Sequence, residues 1–111
     1  MTNERGTRWE TAIVSYLRSE GAVQVERRAR TGAKDRGDLA GLPGVVVEAK
    51  NAQRTELAAW LSEAKREANH DGADIGVVWA HRRGKGSPAD GYVVMDGATF
   101  VRLLRQAGRM P

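Results

Sequence analysis

Apolar residues recur at helical spacing in three stretches of the chain, with short unbroken apolar runs between them. Trp9, Ile13, Tyr16 and Leu17 fall on one face, so the spacing predicts a helix from about Arg8 to Glu20. Thr7-Arg8-Trp9-Glu10 reads as a capping box at its start, with Thr7 at N-cap and Glu10 at N3, and Gly21 stands where a left-handed residue would end it. Val23 and Val25 alternate with polar neighbours, which predicts a half-exposed strand within 22–30. The segment from Thr31 to Gly37 is a turn or loop, Asp38-Leu39-Ala40 a short strand, and Gly41-Leu42-Pro43-Gly44 a turn. Val45 to Lys50 is the strongest strand, and its three valines favour a central position covered on both faces.

A second helix is expected over about 55–69, with Leu57, Trp60, Leu61, Ala64 and Ala68 on its stripe. Ile75–Ala80 and Tyr92–Met95 read as strands separated by a polar connector. Asp96 is placed to cap a last helix bearing Phe100, Val101, Leu103, Leu104 and Ala107. Trp9, Trp60 and Trp79 all fall at core-facing positions. The order α-β-β-β-α-β-β-α fits an α/β fold with a single mixed β-sheet of about five strands flanked by helices.

The length of 111 residues fits one domain spanning 1–111. With no cysteine, a disulfide scaffold and any thiolate-held metal are excluded, and only His70 and His81 remain as imidazole ligands. Both histidines read as surface residues near element ends. No apolar run approaches the ~18 residues of a membrane span, and the polar N-terminus lacks a signal-peptide core, so no membrane partner and a cytoplasmic location are expected. The formal charge is 18 − 14 = +4, and arginine supplies 14 of the 18 positive charges. Arginine suits phosphate, although GC-rich coding produces the same bias. Its placement says more, because Arg27, Arg28, Arg30, Lys34 and Arg36 crowd one stretch, and Arg82, Arg83 and Lys85 another.

One spot breaks its local pattern. Glu48 and Lys50 share a face at the end of a valine run, where a buried strand should carry neither. Either the strand leaves the core at Glu48, or Glu48 and Asp38 jointly bind a hard cation such as Mg²⁺. In the second case Lys50 lies beside the attacking water and the scissile phosphate, where it can orient that water or offset charge. Asn51 and Gln53 follow as polar residues at the strand end.

Gly37-Asp38 followed by Glu48-Ala49-Lys50, an N-terminal helix with Glu10 and a basic strand together resemble the PD-(D/E)xK, restriction-endonuclease-like nucleases. The resemblance covers nearly the whole chain and is strongest to the small Holliday junction resolvases of archaeal and phage type. It implies a restriction-endonuclease-like fold, with Asp38, Glu48 and Lys50 as catalytic positions. Metal would be held by Asp38, Glu48 and the Ala49 carbonyl, with Glu10 completing the site from the first helix. Glu10 thus has two competing roles, cap and metal site. The chain departs from the motif in having Gly37 where the family often has proline, and Thr31 where resolvases often place a serine.

The implied activity is Mg²⁺-dependent hydrolysis of DNA phosphodiesters (Mn²⁺ able to substitute) at branched DNA, first of all four-way junctions. Arg27, Arg28, Arg30, Thr31, Lys34, Arg36, Arg82, Arg83 and Lys85 are the candidate nucleic-acid contacts. Two symmetric nicks need two active sites, so a homodimer is expected, with spare apolar surface on the Trp60 helix as one place for its interface. If phage-encoded, the protein would work in the host cytoplasm. The alternatives are a flap, branched-DNA or nonspecific nuclease, a DNA-binding module without catalysis, and a protein-interaction domain.

Overall fold

The structure, a computed structural model, describes residues 4–29 and 35–111. It is a mixed α/β arrangement in the order α1 (Glu4–Ser19), β1 (Glu26–Arg27), β2 (Leu39–Ala40), β3 (Val45–Lys50), α2 (Leu57–Asp71), β4 (Ile75–Ala80), a single 3-10 turn (Pro88–Asp90), β5 (Tyr92–Val94) and α3 (Gly97–Gln106). Among the described residues, no helix is long and apolar enough to cross a membrane.

The expected five-stranded sheet divides in two. β1 and β2 form an antiparallel pair, while β3, β4 and β5 form a three-stranded sheet in that order. β3 runs parallel to β4, with Val45 opposite Ile75 and Lys50 opposite Ala80, and β5 is antiparallel to β4. The pieces still touch, since the Asp38 N–H donates to the Val47 carbonyl at 3.0 Å. β2 is only two residues long, which is too short to extend that bond into a ladder. The strand expected within 22–30 shrinks likewise to Glu26–Arg27. Its inward residue, Val25, is nevertheless fully buried.

Alternation along β3 and β4 divides the interior into two layers. Val47, Ile75 and Val77 pack with Trp9, Ile13 and Val14 of α1, and with Val25 and Leu39. Val78 and Ala80 pack with Trp60 and Ala64 of α2. Gly76 makes the second contact close, because a Cβ there would stand 2.8 Å from the Ala64 carbonyl. Trp9 and Trp60 are buried as expected. Trp79 is partly buried, its carbonyl accepting from the Trp9 indole at 3.0 Å and its own indole donating to Pro88 at 3.1 Å.

Two helix starts contrast. Asp96 caps α3, accepting from the Thr99 N–H at 2.9 Å and the Thr99 hydroxyl at 2.7 Å. These bonds and the Lys65 ammonium hold the Asp96 carboxyl well below the usual range. The capping box at Thr7 does not form, because α1 already begins at Glu4 and Thr7 lies inside it. On α3, Phe100 is 54% exposed, and Ala107 is exposed as well.

Candidate metal centre and nucleic-acid interface

Gly37 sets the geometry of Asp38. Its φ of +96° lies in the left-handed region, and a Cβ there would meet Val46 Cγ1 at 2.7 Å. Proline is held near −65°, so it cannot occupy this position. The departure from the family motif thus has a local cause. The sharp turn brings Asp38 against β3, where its Oδ2 accepts the Ala49 N–H at 2.8 Å. Its main chain is held at both ends, by the bond to Val47 and by the Arg28 N–H, which donates to the Asp38 carbonyl at 2.8 Å. Ala49 therefore meets Asp38 through its N–H.

Glu48 does not leave the core. It is 4% exposed and Asp38 is 9% exposed, so the reading in which the strand emerges at Glu48 is ruled out. Glu48 and Lys50 face α2, which brings two further carboxylates. The Lys50 ammonium lies 2.6 Å from Glu63 and 3.9 Å from Glu48. Glu67, one turn along α2, is 1% exposed and faces Glu48. Asp35 joins them, with one carboxylate oxygen each from Asp35, Glu48 and Glu67 lying within 4.8 Å of one another.

Burial of so many acids shifts their protonation. Desolvation, then the charge and hydrogen bond of Glu48, push Asp38 up to about 8. Desolvation and the Glu67 carboxyl push Glu48 up to about 9, against a lowering by Asp38. Glu67 rises to about 7, chiefly through its own burial. The Lys50 pKa rises as well. Burial would lower it, but the Glu63 hydrogen bond and the charges of Glu48 and Asp38 outweigh that and raise it, so it remains an ammonium. An ammonium can orient a water or offset negative charge, but it cannot accept a proton.

These acids fit a hard cation. Glu48 Oε2 and both Glu67 oxygens are buried with no hydrogen-bond partner among the described residues. A divalent ion bound by oxygen would replace the protons that otherwise keep such groups neutral. Glu10 lies close enough to Asp38 for its charge to add to the Asp38 shift. With the capping box absent, its partner is the Arg27 guanidinium at 3.1 Å. Glu10 is thus no helix cap, and it sits at the margin of the acidic group.

The basic residues separate by partner. Arg27 is committed to Glu10, while Arg28 and Arg36 converge on Asp71 at 3.6 and 2.6 Å. Arg82 and Arg83 line a cleft of about 940 Å³ with Lys50, Asn51, Gln53 and Arg5. The cleft opens at the ends of the parallel strands β3 and β4, where open α/β sheets commonly receive ligands. Arg82 also stacks over the exposed Tyr92 ring, 5.7 Å from its centroid. His81 lines the cleft too and packs edge-on against Trp9 at 5.0 Å. Lys85 is exposed in the connector and is not part of the cleft lining. Arg30, Thr31 and Lys34 lie outside the described residues.

Sequence reasoning missed Asp35, Glu63, Glu67 and Arg5. Glu67 had a signal, since it follows Trp60 and Ala64 by seven and three positions and so interrupts the apolar stripe of α2. Comparison with known protein families, with curated proteins and with solved structures returns no match.

Proposed function

We propose that this chain is a Mg²⁺-dependent endonuclease of restriction-endonuclease-like fold that hydrolyses DNA phosphodiesters at branched substrates, first among them four-way junctions. What carries the reading is the meeting of Asp38, Glu48 and the Lys50 ammonium at the end of β3, beside an arginine-lined cleft. Asp38 and Glu48 would hold the ion through carboxylate oxygens, with the Ala49 carbonyl and Glu10 as further ligands on the pattern of the family the chain resembles. When bound, such an ion polarises a phosphate oxygen and lowers the pKa of a coordinated water.

The chain's own residues do the rest. Hydrolysis forms a bond between phosphorus and the water oxygen and breaks one P–O ester bond; the attacking water gives up a proton to solvent, and the departing sugar oxygen takes one from solvent. The reaction raises negative charge on the phosphate, and Lys50 stands where its fixed positive charge offsets that rise. Its elevated pKa suits this role and not that of a general base. Arg5, Arg82 and Arg83 bind backbone phosphates along the cleft, which gives affinity without reading sequence. Paired nicks across a junction require two such sites, so the working form is a homodimer.

The test compares cutting of four-way junctions, flaps and linear duplex at one salt concentration with Mg²⁺ and with Mn²⁺. Junctions should be cut first, and Asp38→Asn or Lys50→Ala should abolish cutting while junction binding persists. Equal cutting of all substrates would replace the junction assignment by a general nuclease. Binding without cutting in either metal would make the chain a DNA-binding module.

A further inference from the structure

Glu67 is the charge least accounted for by what surrounds it. It lies on α2 between Ala64 and Ala68, both buried, and neither of its oxygens has a hydrogen-bond partner among the described residues. Opposite it stands Glu48, whose Oε2 is likewise buried without a partner. Asp35, two residues before Gly37, contributes the third oxygen of a group whose members lie within 4.8 Å of one another. Two buried carboxyls that face each other, as Glu48 and Glu67 do, need either a proton or a cation between them. Lys50 does not fill that place, since it is 3.9 Å from Glu48 and held by Glu63 at 2.6 Å.

The spacing suits an ion. Magnesium–oxygen bonds of ~2.0–2.1 Å put opposite ligands of an octahedron about 4.2 Å apart and adjacent ones about 3 Å apart. A separation of up to 4.8 Å closes to those values with small rotations of the glutamate side chains. The ligand set is entirely carboxylate, which selects hard cations over zinc or copper.

We propose that Asp35, Glu48 and Glu67 form a binding site for a divalent cation of the Mg²⁺ or Mn²⁺ class, with Glu67 bringing a ligand from α2. The site shares Glu48 with the Asp38–Lys50 group, but it stands whether or not the chain cuts DNA. The ion ties α2 to β3 and anchors Asp35, which leads through Gly37 into Asp38.

Titration of the metal-stripped full chain with MnCl₂ alone, followed by calorimetry, tests the site. Wild type should bind Mn²⁺, and the near-isosteric Glu67→Gln and the separate Asp35→Asn should each weaken binding at least the roughly tenfold that losing even an outer partner of a metal site costs. Paramagnetic broadening in wild type needs no variant, and amide signals around Glu67 and Asp35 should fade together at low Mn²⁺. Unchanged affinity in folded Glu67→Gln, broadening confined to Asp38 and Glu48, or no Mn²⁺ binding at all would each overturn the proposal. Mn²⁺ bound through Glu67 without DNA cleavage would sink the nuclease reading alone. Cleavage with a Glu67-independent Mn²⁺ affinity would sink this site alone.

Discussion

The two faces of β3 and β4 are built from the same strands and are opposite in character. Toward α1 the sheet presents Val47, Ile75 and Val77 against Trp9, Ile13 and Val14 in an apolar cluster. Toward α2 it presents Val78 and Ala80 against Trp60 and Ala64, and then Glu48 and Lys50 against Glu63 and Glu67. One face supplies apolar burial and the other gives up part of that burial to hold carboxylates away from water. A fold that needed only stability would place aliphatic side chains at positions 48 and 67. The cost on the α2 face is tolerable because the α1 face carries the core.

The sharpest way to break this comparison is to truncate one side chain on each face and measure stability by urea unfolding. Ile13→Ala, in the apolar cluster, should cost about 2–5 kcal/mol through lost burial and the cavity left behind. Glu48→Gln has the opposite expectation in metal-free protein at pH 8. Folded Glu48 must take up a proton at this pH, whereas the amide is neutral in both states and can donate to a neighbouring carboxylate, so stability should stay level or rise. A loss at Glu48 as large as that at Ile13 would mean that the carboxylate is structural.

The α1 face was legible in the sequence and the α2 face only in part. Trp9 and Ile13 announce themselves by helical period, and β3 and β4 by unbroken apolar runs whose bounds match those expected. Asp38, Glu48 and Lys50 were found because Glu48 and Lys50 violate a strand pattern. Glu67 violates a helix pattern in the same way, but one glutamate in an amphipathic helix is ordinary unless the rotation that buries it is known. It is seen only in the packed structure, where Gly76 lets α2 sit close to β4 at Ala64 and Ala68. The division of the sheet was also hidden, because nothing local tells a two-residue strand from a longer one. Glu10 shows the reverse problem, since a plausible capping box pointed to a helix start at about Arg8, whereas α1 begins at Glu4.

An effect of opposite sign to ordinary acid denaturation should appear in the pH dependence of metal-free protein. Asp38, Glu48 and Glu67 have unfolded values of 3.8, 4.5 and 4.5, and folded values of about 8, 9 and 7. Between these limits the folded state binds more protons than the unfolded chain, so stability falls as pH rises. Their contribution is whole below about pH 4 and is lost progressively up to about pH 9. Unfolding midpoints should therefore decline from pH 5 to pH 9 without metal, and saturating Mg²⁺ should flatten the decline. Ile13→Ala should lower the curve and keep its slope, whereas Glu48→Gln should reduce the slope. A metal-free curve that rises over this range would show that the carboxylates are paired with cations instead of with one another.

The least effect concerns where the α2 face ends, at the cleft beyond Lys50 and Ala80. Arg82 and Arg83 line that cleft, while Arg28 and Arg36 are held by Asp71 at the far end of α2. If phosphates lie along the cleft, two of the released counterions belong to the first pair. The Arg82→Ala, Arg83→Ala double variant should then reduce the slope of log affinity for DNA against log salt by roughly two, since each neutralised phosphate contributes about 0.9. Arg28→Ala with Arg36→Ala should change the slope by less, because Asp71 already neutralises those guanidinium groups in the unbound protein. Both pairs can be read on one labelled four-way junction over a range of salt. A larger slope change from Arg28 and Arg36 would move the DNA path off the cleft and onto the surface around Asp71, leaving Lys50 at the edge of contact.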